Sequence, residues 1–109
     1  MSSAVLWKRT RQLLEEAPIQ GTDVDAKVRL LLNAEYLRKI SQYRRTDQML
    51  SQKYGVTFDQ FVARRIVREN RYSLEVETDA MAWETAISGI TTIECKLGEL
   101  REAGLVPHG

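Results

Sequence analysis

An all-α fold of about four helices is predicted for this 109-residue chain by three observations. The long periodic stretches carry few of its six glycines and two prolines, which speaks against a many-turned β fold. Apolar residues recur at helical spacings of three and four over most of its length. Tyr54-Gly55-Val56-Thr57-Phe58-Asp59-Gln60-Phe61 reads as one helix stopping and another starting. Gly55 can close a helix in the left-handed conformation. Thr57 and Gln60 have the spacing of a capping box, and Val56 and Phe61 that of a hydrophobic staple. The expected architecture is a helical hairpin or bundle with a long second helix, completed by homodimerisation. It forms one domain, 1–109, organised as an N-terminal helix and connection (1–21), a basic helical pair (22–73) and an acidic C-terminal helix (74–104).

The first helix is expected from a cap near Ser3 to Ala17. Val5, Leu6, Leu13 and Leu14, with Trp7 beside them, form an intermittent apolar face, and Pro18 ends it. Thr22 or Asp23 opens the second helix, which should run to Tyr54. Its apolar stripe thins to Tyr36, Ile40, Tyr43, Leu50 and Tyr54, spaced 4, 3, 7 and 4, and the step missing within the seven is Asp47. A long helix with a narrow, partly polar seam projects from a core or pairs with another chain. The third helix is expected over 58–69 with Phe58, Phe61, Val62, Ile66 and Val67 inward. Ser73 caps the last helix, although Tyr72, Leu74 and Val76 alternate and allow a short extended piece there. Trp83, Ile87, Ile90, Ile93, Leu97 and Leu100, spaced 4, 3, 3, 4 and 3, mark an apolar ridge, part of it core and the remainder a surface for another chain. Gly89 and Gly98 weaken the helix; either another helix approaches closely there or the glycines are simply tolerated.

Net charge is +1, unevenly placed: 14 Lys/Arg against 8 Asp/Glu over residues 1–73 (+6), and 2 against 7 over 74–109 (−5). Either the halves face each other, or one sign is offered to a partner. The single Cys95 excludes an intrachain disulfide, fits a reducing compartment and is expected as a small buried hydrophobe. The N-terminus has no apolar signal-peptide core, and no run approaches the ~18 apolar residues of a membrane span, so a cytoplasmic protein is expected.

Catalytic constellations are scarce. His108 stands beside the C-terminus, and Cys95 lacks a partner for zinc or a base to activate it. Neither a phosphate loop nor a dinucleotide fingerprint occurs. No enzyme, cofactor or metal is therefore expected, although Glu75 and Asp79, one helical turn apart, could share a cation. Arg44, Arg45, Arg64 and Arg65 are candidate phosphate contacts for a nucleic acid. The leading signal is protein–protein contact. An acidic helix carries Glu75, Glu77, Asp79 and Glu84, together with Met81, Trp83, Ile87 and Ile90, and Trp83 is the expected anchor.

Lys53-Tyr54-Gly55-Val56-Thr57-Phe58-Asp59-Gln60-Phe61, followed by Tyr72–Glu84 with its Met81-Ala82-Trp83-Glu84 step, resembles small prokaryotic helical antitoxins of type II toxin–antitoxin pairs. Ile90, Ile93, Lys96, Leu97 and Leu100 fit the terminal helix of that pattern. The resemblance spans roughly residues 50–102. It implies that the acidic C-terminal helix clamps a small basic toxin, with Glu75, Glu77, Asp79 and Glu84 supplying charge complementarity. The N-terminal half shows neither a ribbon-helix-helix nor a helix-turn-helix signature. A self-assembling structural or adaptor helical protein, and a nucleic-acid-binding regulator using the basic helices, are the alternatives.

Overall fold

The computed structural model describes residues 3–21, 23–64, 66 and 73–102, with the side chains of 3–6 excepted. Among the described residues four helices follow one another: α1 (Ser3–Glu16), α2 (Val24–Tyr54), α3 (Phe58–Ala63) and α4 (Leu74–Glu102). No strand occurs among the described residues, and no helix of the described chain is long and apolar enough to cross a membrane. α4 is helical from Leu74, so Leu74–Val76 is not extended; Tyr72 lies outside the described residues. α3 closes at Ala63 within the stretch expected as one helix to 69; Ile66 is helical again, and the expected end at 69 lies outside the described residues. Arg64 caps α3, its N–H donating to the Gln60 carbonyl. Of the inward positions expected beyond that point, Ile66 is buried and Val67 lies outside the described residues.

The chain divides into two compact units, Met1–Tyr36 with Lys96–Gly109, and Leu37–Cys95. In the first, Asp23 opens α2 by accepting the Ala26 N–H at 2.8 Å on Oδ1. Lys27 closes α1. Its side chain, only 9% exposed, donates to the carbonyls of Leu14, Glu15 and Ala17 at 2.8, 2.9 and 3.3 Å. Those carbonyls lie where α1 ends; Leu14 and Ala17 also accept the backbone N–H groups of Ala17 and Ile19 at 3.2 and 2.8 Å, and an ammonium suits the negative end of the helix dipole. α1 buries less than its apolar residues promised: Trp7 and Leu13 are exposed, and of its described side chains only Leu14 is half-buried. Val5 and Leu6 are among the side chains not described.

The second unit is built on the corner. Gly55 has φ +68°, and its N–H donates to the Ser51 carbonyl at 2.9 Å. Thr57 Oγ1 accepts the Gln60 N–H at 3.2 Å while Gln60 Oε1 accepts the Thr57 N–H at 3.0 Å, so the capping box is complete. Phe61 joins Leu50, Ile66, Val76 and Trp83 in the core cluster, with Val56, Tyr54, Phe58, Ala80 and Ile87 against it. Trp83 lies at its centre, with ring centroids 5.0 Å from Phe61 and 5.5 Å from Phe58. Such offset and tilted aromatic contacts add to the area they bury.

Candidate protein-interaction surface

The residues expected to meet a partner lie on α4, and a helix of this period sorts them onto different faces. Val76, Trp83 and Ala86 are buried, while Ile87 and Ile90 are half-buried. Trp83, the expected anchor, is 0% exposed, and its indole N–H donates to Asp47 Oδ1 at 2.8 Å. It is therefore a core residue with its one polar atom satisfied inside the chain, and it presents no surface to a partner. Asp47 occupies the gap in the α2 stripe: the missing apolar step is the acceptor for the tryptophan.

Two of the four acidic residues are also engaged. Lys53 Nζ donates to Glu75 Oε1 at 2.7 Å and to Asp79 Oδ2 at 2.6 Å, and the Tyr54 hydroxyl donates to the same Asp79 oxygen at 2.6 Å. The cation that Glu75 and Asp79 share is thus the ammonium of Lys53. Among the described residues no group of three His, Cys, Asp or Glu is placed to hold a metal ion. The hydrogen bonds from Lys53 and Tyr54 hold the Asp79 carboxyl below its ordinary value. Burial, reinforced by the bond to Asp79, pushes the Tyr54 phenol up to about 12. The bonds to Asp79 and then Glu75 raise the Lys53 ammonium. Arg44 pairs with Glu94 at 3.1 Å. The opposed charges of the two halves of the sequence therefore partly meet within the chain.

What remains open on α4 is narrower than expected and includes a residue the sequence reading did not single out. Leu74 is 80% and Met81 71% exposed, seven residues apart on one face. Glu77 and Glu84, at the intervening helical spacing, are half-buried and exposed respectively, with no ion pair among the described residues. Leu74, Glu77, Met81 and Glu84 thus alternate apolar and anionic groups at spacings of 3, 4 and 3. Leu74 was legible as the one apolar member of the alternating run that falls off the Val76–Trp83–Ile90 register. Cys95 is exposed, not buried, because it lies between the inward positions Ile93 and Leu97.

Arg44 is held by Glu94, Arg45 and Arg64 are exposed, and Arg65 lies outside the described residues, as does His108. Compared with protein-family models, with curated proteins and with solved structures, the chain matches none.

Proposed function

We propose that this chain is a non-enzymatic protein-binding module, antitoxin-like in its mode of action, that offers the outer face of α4 to a small basic protein. The observation that supports this reading is the Leu74–Glu77–Met81–Glu84 face. Two large apolar side chains stand in solvent beside two carboxylates that no cation of the described chain neutralises. Such a face suits a partner segment carrying apolar residues between lysines or arginines. Apolar contact then supplies affinity, and the charges supply steering and orientation. The clamp moves outward from the expected one: Met81 and Glu84 remain, Glu77 remains in part, and Leu74 joins them. Trp83, Ile87 and Ile90 support the helix from behind, and Glu75 and Asp79 fix its start through Lys53.

The reading is tested with Met81→Lys/Glu84→Lys, which changes only exposed positions. The double variant should keep the wild-type melting temperature within a few degrees while its affinity for a basic partner falls by about tenfold or more, as expected for losing an apolar contact and reversing one charge. Retained affinity would remove α4 from the interface.

Homodimerisation is a second reading, favoured by the exposure of Trp7, Leu13, Leu31 and Leu32, more apolar surface than isolated exposed residues require. Sedimentation at increasing protein concentration tests it, and a monomer throughout would exclude it. A prokaryotic, cytoplasmic setting belongs to the antitoxin-like reading. Binding of a nucleic acid through Arg45 and Arg64 would show as an affinity falling steeply with salt.

A further inference from the structure

The unit containing α1 holds an open groove of about 710 Å³, independent of the α4 face. One wall is a single stripe of α1, with Trp7, Arg11 and Glu15 each four residues apart. The other is the start of α2, from Asp23, Val24 and Asp25 to Val28. The walls are fixed to each other. Lys27, one position before Val28, donates three hydrogen bonds to the carbonyls at the end of α1. Trp7 is 51% exposed, an unusual place for an indole unless something covers it.

We propose that this groove binds a small organic cation carried on a flat apolar body, an arylalkyl-ammonium in chemical class. The Trp7 indole offers the ring face that attracts a cation most strongly. Val24 and Val28, one turn apart, offer an apolar floor for the body of the ligand. The lining carboxylates, Glu15, Asp23 and Asp25, outnumber the one guanidinium, Arg11, so an anion is disfavoured. Glu15 accepts from Arg11 Nε at 3.1 Å, and Asp25 is paired with Arg29. Asp23 uses Oδ1 for the Ala26 N–H and has no ion pair among the described residues, so its second oxygen is the one available to an ammonium. Pre-positioned walls reduce the ordering that binding requires.

Benzyltrimethylammonium is the probe, titrated into the full-length chain and followed at the backbone amide signals of Val24 and Val28. The indole N–H signal of Trp83, buried and bonded to Asp47, reports that the fold is intact. The expected result is a saturable shift with a dissociation constant at or below about 1 mM. Trp7→Leu should weaken it by about tenfold and Asp23→Asn by a few-fold, with the Trp83 signal unmoved. Phenylacetate and benzyl alcohol should give no saturable shift. Absence of saturation by about 10 mM, an equal response to phenylacetate, or unchanged binding by Trp7→Leu would each overturn the proposal.

Discussion

Trp83 and Asp47 show how much a single pair determines. Removing the acceptor with Asp47→Ala leaves a buried N–H unpaired and should destabilise the chain by about 1–3 kcal/mol. Asp47→Asn retains an acceptor and should cost less. Trp83→Ala opens a cavity among Phe58, Phe61 and Leu50 and should cost about 3–5 kcal/mol in denaturant unfolding. If instead the alanine variant folded with wild-type stability, Trp83 would not be the centre of this core. The glycines separate in the same way. A Cβ on Gly89 would lie 2.4 Å from the Tyr43 ring, whereas one on Gly98 would meet nothing within 4 Å. Gly89→Ala should therefore lower the melting temperature, by roughly the 1–3 kcal/mol of an overpacked site. Gly98→Ala should raise it, by about 0.5–1 kcal/mol of helix stability. Close helix approach or simple tolerance was open for both glycines in the sequence, where they look alike. Only the register of Tyr43 against α4 distinguishes them.

At the scale of elements, the helices and the corner were legible because their signals are local. The capping box, the left-handed Gly55 and the apolar spacing of α4 each act within a few residues. The long α2 was legible too, and so was its interruption at Asp47, but the meaning of that interruption required knowing that Trp83 lies opposite. The Lys53–Glu75–Asp79–Tyr54 cluster was not legible, since it joins residues 22 to 26 apart in the chain. It gives the junction of α2 and α4 a defined pH response. The Asp79 carboxyl is depressed in the fold, so its contribution is present above its ordinary value of 3.8 and is lost as the pH falls through the lower folded value. Tyr54 and Lys53 are raised, so their contributions are present below their ordinary values of 10.0 and 10.5 and fade as the pH rises beyond them. Urea midpoints measured from acid to alkaline pH should fall at both ends. Asp79→Asn should flatten the acid limb and Tyr54→Phe part of the alkaline one; unchanged limbs would mean that the cluster does not couple to folding. Lys27 makes a comparable claim for α1. Lys27→Met takes one donor from each of three carbonyls at the end of α1, and amide exchange over α1 should accelerate while that of α3 is unchanged.

For the whole molecule, the division of charge between the two halves admitted two readings, and the first, pairing within the chain, holds in part. Lys53 with Glu75 and Asp79, and Arg44 with Glu94, bring opposite signs together inside the chain. Glu77 and Glu84 are left over beside Leu74 and Met81. A count of charges in the sequence could not separate these groups, because which acid finds a partner depends on which face of α4 it occupies. The helix was legible but its faces were not: Trp83, expected as an anchor, is core, and Leu74 and Met81 are exposed on the opposite side. The central claim is that this outer face receives a basic protein. The most direct test is co-expression of the chain with the product of its neighbouring gene, wild type beside Met81→Lys/Glu84→Lys, followed by size-exclusion chromatography. A stoichiometric complex with a small basic protein, lost in the variant while the variant itself stays folded, is the expected result. No complex with the wild type, or one that survives the double substitution unchanged, would contradict the claim.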